Sequence, residues 1–307
     1  MATEIYVISG FLGAGKTTLI QKLLKEAFQK DNVVLIENDF GEISVDAALL
    51  KSGGVEVREI NSGCICCSLS GDFVKALKEL LDRFHPDVII IEPSGVGKLS
   101  DIMKACSDPR VQALTEVKAK ITVVDVKRCK MYLDNFGEFF EDQIQNADVL
   151  ILSRTGDFPD KVNSTCKLVK SLNAQAVILS EPWDEMRAED ILIPHPGSHE
   201  HGEQCDHMHG CHGHDHAAEE AFDTITIRTK GVFSIEDLKA RISRLENNPK
   251  GTVLRAKGIV QSTGGYINVQ YLPGDIRITN CATAGDMLCI IGRDLNRQEL
   301  VSLFTKE

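Results

Sequence analysis

The stretch "GFLGAGKTT", residues 10–18, carries the groups needed to hold a polyphosphate. It fits G-x-x-x-x-G-K-[ST] through Gly10, Gly15, Lys16 and Thr17, between an apolar run that ends at Ser9 and an amphipathic stretch that starts at Lys16. Gly13 and Gly15, with Ala14 between them, let backbone N–H groups and a helix N-terminus face negative charge closely. Lys16 would reach the β- and γ-phosphates and the Thr17 hydroxyl would ligate Mg2+, with Thr18 in the same cradle. Glu92 ends the run "DVIIIE", where a strand-end carboxylate can support Mg2+ or orient a water. Base recognition is half formed. Where a guanine-specific loop offers N-K-x-D, "LILSRTGDF" supplies Ser153 and Arg154, with Asp157 one place late.

A second stretch, "NSGCICCSLSG" at 61–71, crowds Cys64, Cys66 and Cys67 into four positions. Burial, redox chemistry and metal binding compete for them. Flanking Gly and Ser read as a loop, which disfavours burial, while Cys64 and Cys67 keep the C-x-x-C spacing of a redox pair. Thiolates this dense repel one another unless protonated, oxidised or bound to a cation, and soft sulfur favours Zn2+ or a similar transition ion. Three thiolates leave a tetrahedral zinc site one ligand short, and a carboxylate such as Glu37 or Glu42 could complete it. A third stretch holds eight of the nine histidines between His195 and His216, interleaved with Cys205 and Cys211. Its candidate ligands include His207, His209, Cys211, His212 and His214. Imidazole suits Zn, Cu, Ni and Co alike. The plain alternative is a solvated low-complexity linker.

The elements that must position these groups follow from hydrophobic pattern. "IYVIS" (5–9), "VVLIE" (33–37), "DVIIIE" (87–92), "ITVVD" (121–125), "DVLILS" (148–153) and "AVILS" (176–180) are nearly continuous Val/Ile runs, as strands buried on both faces of a parallel sheet are. Helical stripes alternate with them, clearest at 16–29, which predicts a doubly wound α/β domain. Residues 195–220 have almost no aliphatic side chains and cannot nucleate a core. Order resumes with strands predicted at 222–229, 252–261, 265–272, 275–280 and 287–292, a helix at 234–246 capped by Ser234, and a closing helix in "NRQELVSLF". The expected domains are a P-loop NTPase domain at 1–194, a His/Cys-rich linker at 195–220 and a smaller α+β domain at 221–307.

Taken together, "GFLGAGKTT", "ENDFGE" (37–42), "GCICC" (63–67), "IIIEPSG" (89–95) and "VLRAKG" (253–258) resemble the CobW family of P-loop GTPases, relatives of the nickel-insertion GTPases of urease and hydrogenase. The resemblance spans essentially the whole chain, and C-x-C-C is its most specific mark. It implies GTP hydrolysis, with Mg2+, coupled to handling of a transition metal, Zn2+ or Co2+. The implied partner is a metal-requiring client protein or cofactor-assembly enzyme, with a homodimer left open. One rival is a metal-storage protein with a vestigial phosphate loop. Another is a small-molecule kinase whose cysteines are redox switches.

Charge narrows the partners. With 34 Lys and Arg against 45 Asp and Glu, the formal charge of −11 argues against a nucleic-acid partner held by counterion release. No apolar run approaches the roughly 20 residues that span a bilayer, and "MATEIYVISG" lacks the charged start and long apolar core of a signal peptide. A cytoplasmic location without membrane attachment is the expectation. Ten cysteines in that compartment should stay reduced.

Overall fold

Val and Ile runs without polar interruption need cover on both faces, and a parallel sheet between helices provides it. The computed structural model describes residues 2–37, 56–59, 69–192, 221–247 and 250–305. The candidate ligands Glu42, Cys64, Cys66, Cys67, His207, His209, Cys211, His212 and His214 lie outside the described residues. Residues 2–37 and 69–192 belong to one compact unit, and the described residues from 221 onward to a second.

In the first unit β1 (Thr3–Gly10) is central. Around it stand β2 (Val33–Glu37), β4 (Val88–Glu92), β5 (Thr115–Asp125), β6 (Val149–Ser153) and β7 (Val177–Leu179), in the order β2-β4-β1-β5-β6-β7, every pair parallel. β3 (Glu56–Glu59) takes the edge beside β2. The sequence EVRE has no apolar run to announce it, as befits a short charged edge strand. The predicted strands are otherwise present, with β5 extending further back than "ITVVD" suggests. Ile5, Val7, Ile89, Ile90, Ile121, Leu150 and Leu152 are fully buried, each stabilising the fold by about 1.5–3 kcal/mol.

This strand order has a functional consequence. The C-terminal ends of β2, β4 and β1 lie side by side, so groups distant in sequence converge at one sheet edge. α1 (Lys16–Glu26) leaves the end of β1 and buries Leu19, Ile20 and Leu23. It stops before Phe28, short of the predicted extent; the Phe28 ring instead packs 5.2 Å from that of Tyr6. Among the crossing helices are α2 (Leu69–Phe84), α3 (Leu99–Cys106), the one-turn α4 (Pro109–Gln112), α5 (Cys129–Gln145), α6 (Pro159–Leu172) and α7 (Ala188–Leu192). α5 is interrupted at Phe136, whose φ −137° and ψ 32° are not helical.

The second unit is an antiparallel sheet, in the order β11-β10-β9-β12-β8, of β8 (Asp223–Arg228), β9 (Thr252–Ser262), β10 (Gly265–Leu272), β11 (Asp275–Cys281) and β12 (Met287–Arg293). α8 (Ile235–Ser243) and α9 (Arg297–Phe304) supply Leu238, Ile242, Leu300 and Phe304 to a core shared with Ile227, Val260, Val269 and Ile290. Both helices start on side-chain caps that satisfy free N–H groups: Ser234 accepts from Asp237 and Asn296 from Gln298 and Glu299. The predicted helix at 234–246 tightens into a 3-10 turn after Ser243. Among the described residues no helix is long and apolar enough to cross a membrane.

Gly10 fixes how β1 turns into the loop that follows. Its φ of +141° is a conformation L side chains rarely adopt, and an added Cβ would lie 2.5 Å from the Val123 carbonyl oxygen of β5. Gly10→Ala is therefore expected to lower unfolding free energy by about 3 kcal/mol or more, measured by urea denaturation. A loss under ~0.5 kcal/mol, the level of a neutral surface change, would contradict this packing.

Candidate phosphate-loop site

Each part of the loop at 10–18 is held by a different element. Phe11, almost fully buried, packs its ring 4.4 Å from Tyr132 and 5.5 Å from Phe136, both on α5. The Tyr132 hydroxyl donates to the Leu12 carbonyl at 3.0 Å. Gly15 caps α1 in a left-handed conformation, with no side chain occupying the cap. The N–H groups of a first helical turn have no intrahelical acceptor, so this turn offers donors to an anion. No acidic residue stands in the first turn of α1 to compete for that place.

The charged groups meet just beneath the loop. Lys16 is buried, and its ammonium donates to the Gly10 carbonyl at 3.0 Å while standing 3.8 Å from Glu92 Oε1. Thr17 Oγ1 donates to Glu92 Oε2 at 3.5 Å. Glu37 and Glu92 are Cα partners in the parallel ladder, so the two carboxylates emerge from neighbouring strand ends, Glu37 buried. Lys16 sets positive charge beside Glu92, and the oxygen donors Thr17 and Glu92 fit a hard divalent cation such as Mg2+.

The segment after Glu92 lies against the loop. Pro93–Gly97 is buried, and an added Cβ on Gly95 would lie 2.9 Å from the Leu12 nitrogen. Gln143 of α5, fully buried, donates through Nε2 to the carbonyls of Gly95 at 3.2 Å and Gly97 at 2.8 Å. Lys98 pairs with Glu138 at 2.8 Å, and Ser100 N–H donates to Asp142 at 3.0 Å. One helix thus grips both the phosphate loop and the segment that follows the acidic strand.

The proposed base loop differs from its sequence expectation in detail. Ser153 is buried and its hydroxyl faces the Val124 carbonyl at 3.5 Å. Arg154, at φ +60°, turns its guanidinium back to the buried Asp125 at 3.0 Å, which also takes Arg128 at 2.7 Å. Asp157 is exposed in the turn. Sequence reasoning passed over Gln143, Tyr132 and Asp125; each lies in an apolar or mixed stretch with no motif around it.

Gly10, Gly13, Ala14, Gly15, Lys16, Thr17, Thr18, Glu37 and Glu92 are thus brought to one sheet edge. Among the described residues no group of three His, Cys, Asp or Glu side chains could hold a metal ion. Burial pushes the thiols of Cys106 and Cys129 up to about 12, which leaves them protonated and poor metal ligands at neutral pH.

Comparison with known proteins gives the following. The family described as CobW/HypB/UreG, nucleotide-binding domain, matches residues 4–180, and the cobalamin synthesis protein cobW C-terminal domain matches residues 222–306. A Sinorhizobium protein named zinc chaperone CobW is 32% identical over 304 residues, covering 84% of this chain and 81% of its own. The Escherichia coli zinc chaperone YeiR is 31% identical over 153 residues, about half of either chain at 50% and 47%. A crystal structure of Zn(II)-bound YjiA GTPase from E. coli aligns over 99% of this chain and 98% of its own, with 18% identity and a TM-score of 0.47.

The grip of Gln143 makes a signed prediction. Gln143→Leu should cost about 1–3 kcal/mol by leaving two buried carbonyls without donors, equally at pH 5 and pH 8. Gln143→Glu sets an acceptor against acceptors, so the introduced carboxyl is held protonated in the folded state, with its pKa raised. A raised acid pKa makes the folded state bind the extra proton, so stability falls as pH rises from the unfolded value of about 4.3. Urea unfolding should show the Glu variant losing more at pH 8 than at pH 5. A pH-independent difference between the two variants would show that the side chain does not face those carbonyls.

Proposed function

The chain belongs to the CobW/HypB/UreG family of nucleotide-binding proteins, and from that premise we propose that it is a GTP-hydrolysing metallochaperone. The observation that carries the reading is the convergence of Lys16, Thr17, Glu92 and Glu37 at adjoining strand ends. In this reading the N–H groups of the loop and of the first turn of α1 orient the triphosphate. The Lys16 ammonium lies beside the charge that develops on the transferred phosphoryl group. Thr17 and Glu92 would hold Mg2+, which supplies further charge neutralisation at the phosphates. Glu92, 3.5 Å from Thr17 Oγ1, would alternatively orient a water. Asp157, in the exposed turn after β6, is the candidate reader of the base, with Ser153 and Arg154 framing it.

The cargo ion is treated as a substrate. Cys64, Cys66 and Cys67 would carry it, with Glu37 or Glu42 completing the donor set, and the names of the relatives favour Zn2+ over Co2+. The tract from His195 to His216 would load or buffer it. A metal-requiring client protein or cofactor-assembly enzyme would receive it in the cytoplasm, where so many thiols stay reduced.

Lys16→Ala is expected to slow GTP hydrolysis by at least about 10-fold, since it removes a positive charge that faces the transferred phosphoryl group. Wild-type turnover in a preparation shown free of contaminating GTPase would remove Lys16 from the mechanism.

The C-x-C-C element lies in sequence between Glu37 and Glu92, the two carboxylates that are neighbours at the nucleotide site. Metal and nucleotide affinities should then be linked by about 1–3 kcal/mol, and reciprocally. Competition titration of Zn2+ into protein lacking 195–216, with GDP or a non-hydrolysable GTP analogue, measures it. Equal affinities in both states, at a site abolished by Cys66→Ser, would favour storage over delivery.

A further inference from the structure

The chain has a single tryptophan, Trp183, in the loop between β7 and α7. Its ring reaches the phosphate loop: an added Cβ on Gly15 would meet Trp183 Cη2 at 3.2 Å and Cζ3 at 3.7 Å, with Ser153 Cβ at 3.9 Å. Its indole N–H donates to the Leu152 carbonyl at 2.7 Å, next to the turn that carries Ser153, Arg154 and Asp157. The residue is half-buried, so part of the ring remains accessible. The loop is tied to β6 through the Trp183 indole.

We propose that Trp183 forms the base-side wall of the nucleotide site, so that the loop at 180–187 governs how tightly a purine nucleoside is held. The inference rests on the reading of residues 10–18 as a GTP site. Gly15 and Lys16 open α1, where the phosphates bind, and Asp157 lies beyond the end of β6, where the base would be read. Trp183 stands between these two places, close over Gly15 at the first and bonded beside the second. The groups of the β6 turn that could otherwise enclose a base are committed elsewhere: Arg154 to Asp125, and the Ser153 hydroxyl toward Val124. A flat, half-exposed indole held by its own N–H offers the apolar surface that a nucleobase or ribose needs, and an inorganic polyphosphate does not.

The test separates nucleoside from phosphate. Affinities of GTP, GDP and inorganic triphosphate, each with Mg2+, are measured for the wild-type chain, Trp183→Ala and Trp183→Phe. Trp183→Ala should weaken GTP and GDP by about 10-fold or more while leaving inorganic triphosphate within about 2-fold, and Trp183→Phe should recover most of the loss. In wild-type protein, which needs no variant to fold, GDP should shift or quench the tryptophan emission and inorganic triphosphate should leave it nearly unchanged. Equal weakening of GTP and triphosphate would make Trp183 a support of the phosphate loop and overturn the proposal. So would unchanged GTP affinity in Trp183→Ala, or emission insensitive to saturating GDP. A wild-type chain that bound neither GTP nor triphosphate would instead remove the nucleotide reading on which this one rests.

Discussion

At Gly95 the segment leaving β4 comes so close to the phosphate loop that one added carbon would sit 2.9 Å from the Leu12 nitrogen. That contact is possible because β1 and β4 are neighbours in a parallel sheet, and parallel neighbours deliver their C-terminal ends to the same edge. Everything proposed for the site depends on it. If the segment stood a residue's width away, Glu92 could not lie beside both Lys16 and Thr17. The sheet alone does not hold the contact, since both backbones are loops beyond the ends of their strands. α5 does so, through Tyr132 on one side and Gln143 on the other.

Charge is distributed around this packing in two distinct ways. On the side of β2 and β4 carboxylates predominate, with Glu37 in register with Glu92 and Lys16 beside Glu92. Such a cluster gains from further positive charge and suits a site that takes a cation. On the side of β5 and β6 the balance is reversed, because the buried Asp125 is matched by both Arg128 and Arg154. Loss of Asp125 would leave two arginines without their shared partner, whereas loss of either arginine leaves Asp125 still paired. Arg154 makes its pair from a left-handed backbone conformation in the turn that leads to Asp157. The same residue that resembles a base-binding lysine in position is therefore occupied in building the turn.

The two units follow different folding logic. In the first, strands buried on both faces need helices above and below, and helix-to-sheet crossovers bring distant residues together. In the second, an antiparallel sheet, in which short turns join β9 to β10 and β10 to β11, packs against α8 and α9. The Ser234 and Asn296 caps that start those helices are local devices, each formed within three residues.

Local devices can be read directly from the chain. The Val/Ile runs gave the strands, the glycines and Lys16 gave the phosphate loop, and Ser234 gave a helix start, because hydrophobic period, turn chemistry and capping act over a few residues. The clustering of Cys64, Cys66 and Cys67 is likewise a property of the chain alone. Tertiary structure decided the rest. Glu37 and Glu92 are 55 positions apart and become neighbours only through the register of β2 with β4. Gln143 reaches the carbonyls of Gly95 and Gly97 across a separation of 46 to 48 residues. Trp183 reads in sequence as one aromatic in an acidic loop, and only the order of β6 and β7 beside β5 and β1 sets its ring against Gly15. A contact of that kind depends on how strands are ordered and registered, and these are fixed by the packing of the whole sheet, which no short window of residues encodes.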